Sequence, residues 1–294
     1  MTAASDRIIA VQVKVLIEDA TTRLIAAGVD DPRLDAELLM AFAAGCTRER
    51  LIAGTIAIDN GVRERYAKLV DKRTARMPLA YIVGRREFYS LDLEVTHAVL
   101  IPRPETETLV AAALTHIDER PASRVIDLGT GSGAIAIAIA ANATHSQIVA
   151  TDVSAEAIAV ATRNAIRLGF ASRIEFRRAD CWTAIASGDA LGCFDLIVSN
   201  PPYIFDAGIA VLAPEVRDYE PRTALAGGPD GLDFYRRIAL NATGHLTPGG
   251  ALIVEVGAGQ AIEVAAIFRN AGLGNITTIN DLAGIPRVVV ASGS

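Results

Sequence analysis

Beyond Arg124 the sequence alternates short β-branched runs with segments of helical period, and few folds accommodate that rhythm. Val125–Leu128, Ile148–Thr151, Ile174–Arg177, Asp195–Ser199, Ala251–Val256, Ile276–Ile279 and Arg287–Ala291 read as strands. Helices are expected at Ala134–Ala141, Ala155–Leu168, Phe234–Thr243 and Ala261–Ala271, and Phe205–Gly231 shows no clear period. Strand–helix alternation at this spacing implies an α/β fold with a mainly parallel, doubly wound sheet. Ligands of such sheets bind beyond the carboxyl ends of the strands, where strand order reverses, so the residues that close each strand are the candidate site.

The first part of the chain differs. Ile9, Val13, Leu16 and Leu24 fall at helical spacing until Gly28. Asp31-Pro32 then restarts a helix with Leu34, Leu38, Leu39 and Phe42 on one face, and Val62–Met77 is amphipathic up to Pro78. Residues 1–77 therefore form a small helical domain. Tyr81–Gly84, Glu87–Tyr89 and Leu91–Val95 alternate as in a hairpin, and the prolines of Ile101–Glu105 keep that stretch extended before a helix at Thr106–His116. Residues 78–105 form a linker and 106–294 the sheet domain.

Composition excludes several classes. With 51% hydrophobic and 21% charged residues the chain is globular. Its longest apolar run, Ala134–Ala141, is too short to cross a bilayer, and the first residues lack the order of a signal peptide, so a cytoplasmic location is expected with no membrane partner. A net charge of −6 argues against gripping nucleic acid by bulk electrostatics. One stretch, Arg63–Arg86, is nonetheless basic (Arg63, Arg65, Lys68, Lys72, Arg73, Arg76, Arg85, Arg86) and reads as a solvated face or a docking surface for an acidic partner. Cys46, Cys181 and Cys193 form no CxxC, and His97, His116, His145 and His245 no HExxH, so neither a disulfide framework nor a metal site is expected.

Four features close strands. Gly129-Thr130-Gly131-Ser132-Gly133 allows a tight turn and close backbone approach to a ligand, and it is also compatible with a dinucleotide. Asp152 can accept both hydroxyl hydrogens of a ribose, with Ser154 available to cap the following helix. Asp180 can accept from an adenine amino group, and Trp182 is either an adenine platform or core. Asn200-Pro201-Pro202-Tyr203 is the most specific. The Asn200 side-chain oxygen and the Pro201 carbonyl can accept both hydrogens of one planar –NH2 group, while Tyr203 offers a flat face. That grip would disfavour planarity of a conjugated –NH2 and turn its lone pair toward an electrophile, with catalysis mainly by positioning. The sulfonium methyl of S-adenosylmethionine is such an electrophile, and no general base is required. Asp127 is placed to tie down the glycine loop.

These residues resemble the HemK/PrmC family of release factor glutamine methyltransferases. The resemblance rests on PLAYIVG (78–84), REFY (86–89), LIPRPETE (100–107), DLGTGSG (127–133), SNPPYI (199–204), YEP (219–221), GGPDGLD (227–233), EVG (255–257) and DLAG (281–284). It implies a Rossmann-like class I methyltransferase sheet of seven strands, the last antiparallel, behind an all-helical N-terminal domain that docks the protein substrate and a β-hairpin connector. The implied reaction methylates the glutamine amide of the Gly-Gly-Gln motif in bacterial class-one peptide chain release factors, leaving S-adenosylhomocysteine. Gly129–Gly133 and Asp152 would hold the cofactor, Asn200 would meet cofactor and substrate, and Pro201, Pro202 and Tyr203 would line the glutamine pocket. The family's aromatic follows the third-strand acid directly, whereas here Cys181 intervenes before Trp182. A monomer is expected. On this reading Arg73 and Arg76 contact the release factor, and Phe205–Gly231 is a lid. Ribosomal-protein glutamine methylation, nucleic-acid amino methylation and NAD-dependent oxidoreduction are the competing readings; the last leaves Asn200–Tyr203 unexplained.

Overall fold

A computed structural model describes residues 3–54, 58–118, 120, 122–180 and 193–293, with 3–11 as backbone alone. By its internal contacts the chain divides into two units, one of residues 1–84 with Pro214–Tyr219, the other of 85–213 with 220–294.

In the first unit, α1 (Ala3–Ala26), α2 (Pro32–Ala44), α3 (Arg48–Ile52), α4 (Asn60–Thr74) and α5 (Leu79–Val83) follow one another through short connections. Their apolar faces meet in one core that includes Ile17, Leu24, Leu39, Met40, Tyr66, Val70 and Ile82. Asp31 sits at the cap of α2 without a side-chain capping bond, whereas Asp59 accepts from the Val62 amide at 2.7 Å and starts α4. Tyr81–Val83 belongs to α5 rather than to a hairpin. Pro78 restarts a helical turn there, Tyr81 and Ile82 are buried, and Gly84, at φ +75°, ends it. Burial of a few large residues overrides the alternating pattern.

Part of the basic stretch is consumed inside this unit. Arg73 is 8% exposed and donates to Asp35 at 2.6 Å and to Glu215 at 2.9 Å. Arg76 grips the same Glu215 with two bonds of 2.6 Å, and the Tyr219 hydroxyl donates to the Ala75 carbonyl at 2.6 Å. Arg65 donates to the Ala43 carbonyl near the end of α2. Arg73 and Arg76 are thus internal ties and not a docking face; reversing their charge would break the unit before it reported on a partner.

In the second unit, β1 (Arg85–Phe88) and β2 (Leu91–Glu94) form an antiparallel hairpin whose two turn residues, Tyr89 and Ser90, both have positive φ. Buried Asn164 clips it to its own helix, α8 (Ala155–Leu168), accepting from the Glu94 amide at 2.7 Å while donating to the Glu94 carbonyl and to the Ser132 carbonyl. The main sheet takes the order β5-β4-β3-β6-β7-β9-β8. Its members are β3 (Arg124–Leu128), β4 (Gln147–Asp152), β5 (Ile174–Arg178), β6 (Phe194–Ser199), β7 (Leu246–Glu255), β8 (Gly274–Asn280) and β9 (Pro286–Ser292). All run parallel from β5 to β7, and β9 is antiparallel to both neighbours, as the seven-stranded expectation requires. Successive residues of a strand feed opposite cores: Val125, Leu196 and Ile253 pack against α6 (Glu107–Asp118) and α7 (Ala134–Asn142), while Ile126, Ile197 and Leu252 pack against α9 (Asp233–Ala242) and α10 (Ala261–Asn270). Helix α8 (Ala155–Leu168) joins β4 to β5.

Strand β7 starts five residues before the expected Ala251, because Thr247-Pro248-Gly249-Gly250 reads as a turn yet is accommodated by a register shift opposite Phe194–Leu196. The stretch 205–231 holds 3-10 turns at Asp206–Val211 and Arg222–Ala224, the short helix Pro214–Tyr219, and a parallel bridge between Ile204 and Ala226. Among the described residues no helix is long and apolar enough to cross a membrane.

Glu215→Ala removes the shared acceptor of two guanidinium groups, one of them buried. The expected loss is about 3 kcal/mol in the stability of the helical unit. Faster amide hydrogen exchange of α4 and of 214–219 is the readout, and exchange unchanged from the parent would refute the tie.

Candidate active site

Strand order reverses between β3 and β6, and the polar residues gather at that edge. After Leu128 the chain turns through Gly129 and Gly131, whose φ values of +75° and +55° lie where side chains are strained. The Gly129 and Thr130 amides both donate to the Thr151 carbonyl, at 2.9 and 2.8 Å, locking the loop to the end of β4. At Gly133, φ +82°, a Cβ would come within 3.0–3.1 Å of Ile137 and Ala161, so glycine there sets the close approach of α7 and α8. Asp127 is buried and accepts from the Thr130 hydroxyl at 2.7 Å, tying the loop from beneath. Burial pushes its carboxyl up to about 7, against the pull of that hydroxyl.

Asp152 accepts from the Ser154 amide at 2.9 Å and from the Gly131 amide at 3.0 Å. Ser154, not Asp152, caps α8 by accepting from the Ala157 amide at 3.1 Å. Each Asp152 oxygen therefore keeps acceptor capacity for a further hydroxyl. Its carboxyl too is raised, by burial foremost. Asp180 accepts from Arg237 at 2.7 and 2.8 Å, and that guanidinium stands 5.6 Å from the ring centre of Phe234.

Asn200 follows β6 directly. Its amide nitrogen donates to the Thr106 hydroxyl at 3.1 Å, and that hydroxyl donates to Glu255 at 2.5 Å. Among the described residues the Asn200 Oδ1 and the Pro201 carbonyl accept no hydrogen bond. Arg103, which precedes the 3-10 turn Pro104–Thr106, donates to buried Glu220 at 2.6 Å.

A cavity of about 530 Å³ joins these groups. Gly129, Thr130, Gly131, Ser132, Asp152, Asp180, Asn200, Pro201 and Pro202 all stand on its wall. Gly133 and Tyr203 do not. Tyr203 packs against the core that includes Tyr235 and Val256, its carbonyl accepts from Gln260 at 3.0 Å, and burial pushes its hydroxyl up to about 12. The Tyr203 ring is thus partly buried against that core and keeps partial exposure. Trp182 and Cys181 lie outside the described residues. Thr106, Glu255, Arg103 and the Phe234–Arg237 pair are the members that residue-by-residue reasoning missed. Thr106 and Glu255 did lie inside the quoted LIPRPETE and EVG segments, so position was legible there while role was not.

The seven-stranded sheet, with the glycine loop, Asp152 and Asn200 at the edge where strand order reverses, is that of a class I methyltransferase. Residues 107–213 match the Methyltransferase small domain family and 16–84 the PrmC N-terminal domain family. The chain is 43% identical over 276 residues to a release factor glutamine methyltransferase of Cereibacter sphaeroides, covering 92% of this chain and 95% of that one. It is 42% identical to the Caulobacter vibrioides protein of the same description, covering 92% and 93%. In fold it is similar to a methyltransferase from Pyrococcus furiosus, with a TM-score of 0.51 at 18% identity over 79% of this chain and 99% of that one. The chain belongs to the release factor glutamine methyltransferase family.

Four carboxyls, the buried Asp127, Glu220 and Glu255 and the half-buried Asp152, have their pKa raised by burial foremost, Asp127 and Glu255 to about 7. Between the unfolded carboxyl range near 4 and about 7 the folded chain binds more protons than the unfolded, so stability falls as pH rises through that window. The melting temperature should therefore be higher near pH 5.5 than near pH 7.5, by roughly a few degrees. Asp127→Asn should flatten that slope; an unaltered slope in the variant would contradict the assignment.

Proposed function

We propose that this chain transfers the methyl group of S-adenosylmethionine to the side-chain amide nitrogen of the glutamine in the Gly-Gly-Gln motif of class-one peptide chain release factors. The observation that carries this reading is the pair of unengaged acceptors, Asn200 Oδ1 and the Pro201 carbonyl, beside a loop and carboxylate suited to a nucleoside. The donor set fits the cofactor. Asp152 retains two acceptor positions for ribose hydroxyls, Gly129–Ser132 offers a close backbone approach, and Asp180 with Phe234 lies where a purine would be read. When bound, S-adenosylmethionine supplies an electrophilic methyl on a sulfonium centre.

The residues of the chain act by orientation. A glutamine amide nitrogen is a poor nucleophile because its lone pair is delocalised into the carbonyl. Asn200 and Pro201 accept its two hydrogens, bend the –NH2 out of conjugation and stabilise the positive charge that grows on nitrogen. Two rigid acceptors need little ordering, since the Pro201-Pro202 backbone is held by its rings. The alkylated nitrogen is acidic, so its surplus proton departs to water, and among the described residues no histidine stands on the cavity wall. The helical unit is assigned to docking the release factor; of its basic stretch, Lys68 and Lys72 on α4 stay exposed. The reaction belongs in the cytoplasm, where termination takes place.

Incubation with tritiated cofactor should label a purified release factor and leave its Gln→Ala variant unlabelled. A ribosomal protein labelled in its place would overturn the substrate assignment. Asn200→Ala should lose about 2–4 kcal/mol of transition-state stabilisation, read as a fall in kcat. Turnover equal to the parent's would sink the two-acceptor mechanism.

A further inference from the structure

We infer that Thr106 and Glu255 are positioning residues that determine which end of the Asn200 carboxamide faces the reacting nitrogen. The inference rests on the reading of Asn200 as a hydrogen-bond acceptor and adds what makes it one. A carboxamide is nearly symmetric in shape, and turning it by half a revolution about its last bond exchanges acceptor for donor. An inverted Asn200 would point N–H at the N–H of the substrate amide and could not grip it. Something in the protein must forbid that rotamer.

The polarity of the chain Asn200–Thr106–Glu255 does so. Glu255 is 1% exposed and, when ionised, can only accept. A hydroxyl has a single hydrogen, and Thr106 commits it to Glu255 Oε2 at 2.5 Å. The Thr106 oxygen is then able only to accept, and its partner 3.1 Å away must be the –NH2 of Asn200. Inversion would set two oxygens against each other with no hydrogen between them, stranding a polar atom without a partner. The geometry follows from the sheet. Ser199 pairs with Val254, so Asn200 and Glu255 emerge side by side from adjacent parallel strands. Thr106 arrives from the 3-10 turn Pro104–Thr106 to stand between them.

Protonation would undo the constraint. Groups facing Glu255 are Thr106 from the turn, Arg287 from β9, Glu105 and Arg103 from the linker, Tyr203 after β6, and Tyr235 on α9, whose hydroxyl donates to the Glu255 backbone carbonyl at 2.9 Å. Burial prevails over the Thr106 bond and the two arginines and pushes the carboxyl up to about 7. Once protonated, Glu255 can donate to Thr106, which frees the threonine hydrogen for Asn200 Oδ1 and admits the inverted rotamer. Turnover should fall as pH drops through that range.

The test measures kcat and KM with a release factor for Thr106→Val, Thr106→Ser, Glu255→Gln and Asn200→Ala, together with S-adenosylhomocysteine affinity by calorimetry. Thr106→Val leaves the Asn200 –NH2 against a methyl group, so the carboxamide favours the inverted rotamer and kcat should fall on the order of 10-fold, with KM and S-adenosylhomocysteine affinity kept within about threefold. Thr106→Ser should recover to within about threefold of the parent. The parent's kcat should show an acid limb near pH 7, absent from Glu255→Gln, whose Oε1 still accepts and cannot titrate there. Parent-like kcat in Thr106→Val, equal loss in the valine and serine variants, loss of S-adenosylhomocysteine affinity in Thr106→Val, or an acid limb persisting in Glu255→Gln would each overturn the inference. If Thr106→Val turns over normally while Asn200→Ala does not, the relay alone fails; if Asn200→Ala is active, the acceptor reading fails and the relay with it.

Discussion

Parallel pairing of β3 with both β4 and β6 governs everything else in the sheet unit, because it sends the carboxyl ends of five neighbouring strands to one edge. Each strand then delivers one polar element there: the glycine loop after β3, Asp152 at the end of β4, Asp180 after β5, Asn200 after β6 and Glu255 at the end of β7. No side chain has to reach far. Strand register sets the spacing between neighbours, and the two packed cores hold that register against slippage, since a one-residue shift would exchange the faces.

Beneath that edge lies a set of carboxyl groups that a chain selected only for stability would not bury. Asp127 and Glu255 are both almost wholly enclosed, and both have a hydroxyl as their side-chain partner, Thr130 for one and Thr106 for the other. The two arrangements are analogous. In each, a buried carboxylate commits the hydrogen of a threonine, and the threonine then constrains an element that touches the cavity. Such supports are costly in desolvation, and the return is a preorganised surface that need not rearrange on binding.

Most of the sheet was legible in sequence because β-branched runs ending in Gly, Asp or Asn are both a local signal and the reason for the site. The site's front row was legible for the same reason: Gly129–Ser132, Asp152 and Asn200–Pro202 are each adjacent in sequence to the strand that positions them. What stayed hidden depended on residues far apart in the chain. Thr106 and Glu255 are separated by 149 positions and Arg73 and Glu215 by 142, and no local pattern announces either pair. Tyr203 is a different case. An aromatic after two prolines can face the cavity or the core, and Tyr203 packs, partly buried, against the core that includes Tyr235 and Val256. Tyr81–Val83 misled because three residues are too few to separate a period of two from a helical turn.

The short helix Pro214–Tyr219 carries one further consequence. It belongs by its contacts to the N-terminal unit, although 129 residues of the other unit, 85–213, come between them in the chain. Vectorial synthesis on a ribosome therefore brings out residues 1–84 long before their last structural partner exists. Until Glu215 emerges, Arg73 has the Asp35 carboxylate alone and Arg76 lacks its carboxylate partner, so this earlier segment reaches its finished arrangement only after the later one is made.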